Sequence, residues 1–111
     1  MKRALSLNDE SVDRRVQVLK ALANPTRLNL VMFLGRGPAT VSTLAESLDL
    51  KPCIASQQLG ILRSSDIVRG LRDGGHVRYE LIDTRVLGLI GNLGAKKIQN
   101  EKSALNRTGE R

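Results

Sequence analysis

Residues 41–82 read VSTLAESLDLKPCIASQQLGILRSSDIVRGLRDGGHVRYELI, and three changes of pattern follow one another within them. A short helical pattern comes first, from about Val41 to Leu48. Thr40, Ser42 and Thr43 are candidate caps for it, and Thr43 with Glu46 has capping-box spacing. Asp49-Leu50-Lys51 then makes a tight connection. Pro52 opens a longer helix, to about Ser64, with Ile54, Ala55, Leu59 and Leu62 on its inward face. Beyond it the period becomes that of strands. Ile67–Arg72 and Val77–Ile82 read as two short strands, and Asp73-Gly74-Gly75-His76 between them is a strong hairpin signal.

A short helix, a three-residue turn and a second helix describe a helix-turn-helix, whose second helix lies in the major groove of DNA. The basic hairpin that follows describes a wing. Ala45 suits the point where the two helices cross closely, and Leu48, Leu50, Ala55, Leu59 and Leu62 form the unit's own small core. Left on the outer face of the second helix are Cys53, Ser56, Gln57, Gly60 and Arg63, with Gln58 near its edge. Glutamine pairs bidentately with adenine, and serine bonds a base edge or a phosphate. Ser56, Gln57 and Gln58 are therefore the expected base readers, and Lys51, Arg63, Arg72 and Arg78 the expected backbone contacts. His76 reads either as a phosphate or minor-groove contact or as an exposed turn residue. Helix–turn–helix spacing alone also fits a plain helical hairpin. Arg69, Arg72, His76 and Arg78 in the wing favour DNA.

Upstream, Val12, Val16, Leu19 and Leu22 make a helical stripe that stops before Asn24-Pro25. Asn24 then caps a second helix with Pro25 at its first position, and Leu28, Val31, Met32 and Leu34 supply its buried face. Gly35-Arg36-Gly37-Pro38 ends it. Downstream, Asp83 caps a last helix to about Ile98. The expected fold is mainly α with a small β-hairpin wing, in the order α-α-α-α-β-β-α. It occupies residues 10–98, between a flexible arm at 1–9 and a polar, disordered tail at 99–111.

A chain of 111 residues has room for one small domain, and domains of this size often gain burial by pairing with a second copy. Apolar residues make up 41%, but there is one Tyr, one Phe and no Trp, so the core must be aliphatic. The net charge of +7 points to a polyanionic partner. Its distribution is less decisive: the winged segment, 51–85, carries six basic and four acidic residues, and much of the surplus lies at the two ends. Lys96, Lys97, Lys102, Arg107 and Arg111 read most simply as a solvated tail that adds nonspecific, salt-sensitive DNA affinity. The sequence contains no apolar run long enough for a membrane span and no apolar signal region, so the cytoplasm is the expected compartment. A single cysteine excludes an internal disulfide framework. There is no nucleophile–histidine–acid set, no phosphate-binding glycine loop and no paired carboxylates, so an enzyme is not expected, nor a cofactor.

The stretches LKALANPTRLNLVMFL (19–34), TLAESLDL (43–50), ASQQLGILRSSDIV (55–68) and GGHVRYELID (74–83) closely resemble the ArsR/SmtB family of dimeric winged-helix repressors. The resemblance covers about residues 16–85. It implies a dimer built from the first and last helices, with Val12, Val16, Leu19, Val86, Leu89, Ile90 and Leu93 at the interface, and repression that an inducer relieves. It implies no identified inducer. Arsenic- and lead-type members carry Cys-Val-Cys where this chain has Thr40-Val41-Ser42. Zinc- and cobalt-type members place ligands at the positions of Asp83, Arg85, Lys96 and Gln99, and neither arginine nor protonated lysine is a metal ligand. One Cys and one His do not supply a normal tetrahedral zinc site, so metal sensing is not expected. The family usually has Gly at Asp49 and Ser at Lys51. Aspartate tolerates a left-handed backbone, and Lys51 exchanges a cap for a charge where a phosphate would lie.

Cys53 falls in the first turn of the expected reading helix beside Lys51, surroundings in which a thiol can become reactive. It reads either as a redox switch, through a sulfenic acid or a mixed disulfide, or as a small tolerated side chain. Gly88, Gly91 and Gly94 recur every third residue and read as a face for close approach to a partner helix, as room for a ligand, or as a source of pliancy in the helix. The expected function is thus a sequence-specific DNA-binding repressor that acts on an inverted repeat. The alternatives are a redox-sensing repressor through Cys53, and a winged-helix protein-interaction module without DNA binding.

Overall fold

The computed structural model describes residues 10–95, with side-chain surroundings for 13–93. The arm at 1–9, the expected end of the last helix at 96–98 with Lys96, and the tail at 99–111 with Gln99 lie outside the described residues, as do the surroundings of Val12 and Gly94. In chain order the elements are α1 (Glu10–Leu22), α2 (Pro25–Leu34), β1 (Ala39–Thr40), α3 (Val41–Ser47), α4 (Pro52–Ser64), β2 (Val68–Asp73), β3 (His76–Leu81) and α5 (Arg85–Ile90). A π-helical turn, Gly91–Ala95, follows α5 directly. The three strands form one antiparallel sheet in the order β1-β3-β2. This is the winged helix-turn-helix arrangement, mostly helical, with the hairpin β2–β3 as wing.

Local chemistry accounts for most of the boundaries. Asn24 sits in extended backbone before Pro25, and its Oδ1 accepts the Arg27 N–H at 3.0 Å, so one of the free amides at the start of α2 is satisfied. The α3 cap is Thr40, whose Oγ1 accepts the Thr43 N–H at 3.2 Å. Thr43–Glu46 is therefore not a capping box, because Thr43 already lies inside the helix. Both α3 and α4 end in the same way. The Leu50 N–H returns to the Ala45 carbonyl at 2.8 Å and the Ile67 N–H to that of Leu62 at 3.0 Å. This six-to-one closure needs a left-handed residue, and Asp49 (φ 55) and Asp66 (φ 58) supply it.

The core is aliphatic, as the composition requires. Leu30, Val31, Leu44, Leu59, Leu62 and Val68 are the largest fully buried side chains, and Tyr79 is the one buried aromatic. No polar side chain is buried among the described residues. Ala45 and Ala55 are buried where α3 and α4 pack, and their small side chains permit the close crossing.

Several expectations are corrected. Strand β1 was not foreseen: it is two residues long, too short to show a period, and exists through pairing Ala39 with Tyr79 and Thr40 with Arg78. Ile54 is exposed rather than inward. It lies about 100° around α4 from Ala55, and the tight crossing with α3 admits only the smaller of the two. Met32 is likewise exposed, because Leu30, Val31 and Leu34 already fill the inward side of α2. The wing strands sit one residue nearer the tip than expected, which leaves Gly74-Gly75 as a two-residue turn with Gly74 at φ 65. The last helix does not continue regularly: α-helical geometry stops at Ile90, amid glycines that favour helix poorly. The cap position of α5 is Thr84, which makes no side-chain cap bond, rather than Asp83; Asp83 lies one residue earlier and accepts the Arg85 N–H at 2.9 Å.

Candidate nucleic-acid interface

Burying Ala55, Leu59 and Leu62 turns the other side of α4 outward. Cys53, Ser56, Gln57 and Arg63 are exposed there, and Gly60 is half-buried. Ahead of the helix, Lys51 occupies the cap position, where an ammonium has no acceptor to offer the first-turn amides, and it is exposed. Among the described residues, Lys51, Arg63 and Arg72 are exposed and take part in none of the ion pairs.

Gln58 is placed differently from its neighbours. It is half-buried at the edge of α4, and its Oε1 accepts Nη1 of Arg27 at 2.8 Å. A guanidinium has no acceptor, so the amide oxygen must face it and only the NH₂ remains available. An adenine pair needs both halves of the amide, so Gln58 in this position is limited to donating.

Register divides the wing residues between two faces. Opposed pairs Gly70–Tyr79 and Arg72–Val77 share the face that packs toward the helices, while Arg69–Glu80, Leu71–Arg78 and Asp73–His76 share the other. Arg72 and Arg78 thus point to opposite sides. Arg69 is held by Glu80 at 2.8 Å and Arg78 by Asp73 at 3.2 Å. The Arg78–Asp73 pair is exposed and the Arg69–Glu80 pair half so, and such surface pairs contribute little, about 0–1 kcal/mol. His76 is exposed as the first residue of β3.

The residue that sequence reasoning missed is Arg27. Besides Gln58, it donates Nε to the Ala21 carbonyl at 2.6 Å and Nη2 to the Lys20 carbonyl at 3.4 Å. One signal was present: it puts a cation in the first turn of α2, against the helix dipole, which implies acceptors elsewhere.

Near α5, Arg85 grips Asp83 through Nε at 3.0 Å to both carboxylate oxygens and through Nη2 at 2.6 Å to Oδ2. These side-chain bonds, with the Arg85 backbone N–H next, hold the Asp83 carboxyl at about 2, below its ordinary 3.8. Among the described residues no three His, Cys, Asp or Glu side chains gather as a metal site would require.

A helix–turn–helix with an open polar reading face and a basic wing defines a winged helix DNA-binding protein. The profile of the family described as bacterial regulatory protein, arsR family, matches residues 24–69. The chain is 36% identical over 84 residues to the HTH-type transcriptional regulator NmtR of Mycobacterium tuberculosis, covering 76% of this chain and 70% of that protein. It is 38% identical over 78 residues to the biofilm growth-associated repressor of Agrobacterium fabrum, covering 70% and 67%. Among solved structures, the antimony-specific transcriptional repressor AntR superposes with a TM-score of 0.73 at 33% identity, covering 86% of each chain. The homodimeric winged helix-turn-helix domain of Mb0332 from Mycobacterium bovis shares the fold, with a TM-score of 0.78 at 24% identity over 86% of this chain and 91% of that one. The chain belongs to the ArsR family of bacterial regulatory proteins. It is a transcriptional regulator with a DNA-binding winged helix, not an enzyme.

Proposed function

We propose that the protein is a cytoplasmic repressor that binds an imperfect inverted repeat in a promoter as a homodimer and blocks polymerase. The observation that carries this reading is the open face of α4, with Cys53, Ser56, Gln57 and Arg63 exposed between Lys51 and the wing residue Arg72. Ser56 and Gln57 read base edges, and Gln58 adds a donor from the helix edge. Lys51, Arg63 and Arg72 hold phosphates. Arg78 and His76 reach the backbone only from the other side of the wing, and Arg78 must first leave Asp73.

Support for the dimer comes from apolar side chains left uncovered on α1 and around α5. Val16, Leu19, Leu89 and Leu93 are 42%, 54%, 42% and 71% exposed, and Val86 and Ile90 are half-buried beside them. A Cβ placed at Gly88 or Gly91 would meet nothing within 4 Å outside the helix's own backbone, which leaves room for a second copy. The Mb0332 domain, which shares the fold, is itself a homodimer. We further propose that repression does not respond to a metal at the two family sites. Thr40 and Ser42 replace thiolates at one, and at the other the Asp83 carboxylate is already engaged by Arg85.

The test is selection of bound fragments from the host's genomic DNA at near-physiological salt, with reduced and with peroxide-treated protein. Enrichment of a short inverted repeat is expected. No enrichment in either state would sink the DNA-binding reading and leave a protein-interaction module. The exposed thiol of Cys53 on the same face supports a second reading, in which peroxide converts it to a sulfenic acid and DNA is released. That reading requires a Cys53→Ser protein to keep its DNA under peroxide.

A further inference from the structure

The uncovered apolar residues of α1 and the outward face of α4 lie on separate helices, and a cleft of about 310 Å³ opens between the two, bounded by Lys20 and Ala21 of α1, by Ile61 and Ser64 of α4 and by Ser65 just beyond it. Arg27 of α2 also lines this cleft and bonds to both helices. Its backbone is fixed by the Asn24 cap, and its guanidinium takes the last carbonyls of α1 on one side and Gln58 of α4 on the other. The bond to Gln58 reaches 31 positions along the chain. Charged donors make the stronger hydrogen bonds, and three acceptors on one planar group fix its orientation.

We propose that Arg27 is a positioning residue that sets the angle of α4 against α1, and so the separation of the two reading helices. This rests on the dimeric reading given above. In that reading α1 is fixed to the partner protomer, and α4 must present its first turn to a groove about 34 Å from the partner's, one turn of DNA. The 13 residues of α4 span about 20 Å, so a tilt of about 6° at Gln58 moves that first turn by about 1 Å. Arg27 restrains that tilt at mid-helix. Losing it leaves α4 folded on its apolar face but free to rock.

Cys53 makes this measurable without DNA. It is the single cysteine, it is exposed, and it lies in the first turn of α4. A nitroxide label there reports the distance between the two reading helices by pulsed dipolar EPR. The unmodified protein is expected to give one narrow distance peak. Arg27→Met and Gln58→Met should each lose that narrow peak to a broad distribution, while Gln58→Glu, which keeps an acceptor for the guanidinium, retains it. Helix content by circular dichroism is recorded for each protein. A role in stability alone would lower the thermal midpoint and leave the peak narrow, and that result overturns the proposal. Should Arg27→Met fail to fold, the Gln58 pair decides the matter in the same way. Narrow coupling in every variant refutes the positioning role and leaves the dimer intact. Absence of coupling in the parent protein refutes the dimer and the proposal together.

Discussion

Asp49 holds the sharp turn between α3 and α4 at φ 55, a conformation in which a Cβ costs roughly 1 kcal/mol that glycine avoids. Asp49→Gly is therefore expected to stabilise the fold by up to about 1 kcal/mol, read as a higher midpoint in urea unfolding. The equivalent change at Asp66 gains less, because it also removes the pairing with Arg14 at 3.5 Å. Asp83 offers a second test. Its carboxyl is depressed, so the stabilising effect of Arg85 is fully present above the ordinary value of 3.8 and is lost as the pH falls toward 2. A carboxyl-carbon NMR titration should place the midpoint near 2, and Arg85→Met, which removes the guanidinium but keeps the backbone N–H, should raise it part of the way toward 3.8. At the reading face, Gln57→Ala is expected to weaken binding to the selected repeat by about 1–3 kcal/mol and to relax preference at one base position. Unchanged affinity and preference would remove Gln57 from the base readers.

The wing carries its own prediction, because register sends Arg72 and Arg78 to opposite faces. If Arg72 lies over a phosphate, Arg72→Ala should weaken binding alike on all sequences and reduce the slope of log affinity against log salt by about 1. Arg78→Ala, which removes a cation already facing Asp73, should leave that slope nearly unchanged. Elements whose signals are local were readable from the sequence. Asn24-Pro25 marks a cap, Pro52 a helix start and Gly74-Gly75 a hairpin turn, and each is found at that position. What needs a distant partner was not readable. Strand β1 exists only through β3, the burial of Ala55 over Ile54 depends on how closely α3 approaches, and the Arg27–Gln58 bond joins positions 31 apart. The outward identity of Cys53, Ser56, Gln57 and Arg63 was legible because helical period fixes it once Leu59 and Leu62 are inside. The partial withdrawal of Gln58 was not.

For the molecule as a whole, the question is what covers the apolar residues that one protomer leaves in water. Leu19 and Leu89 share a groove with Val18, and a charge there should be tolerated by an isolated chain but not by a pair. Leu19→Glu is expected to keep its helix content, sediment as a monomer and lose most of its affinity for the full repeat. A dimer that survives the change would move the interface elsewhere. The wing has a consequence of a different kind. Tyr79 is the only tyrosine, there is no tryptophan, and its ring is buried where β3 meets the helices. Tyrosine emission from the unmodified protein thus comes from a single joint. Its brightness reports how the wing is seated against the helical body, so the protein carries its own optical gauge of that contact.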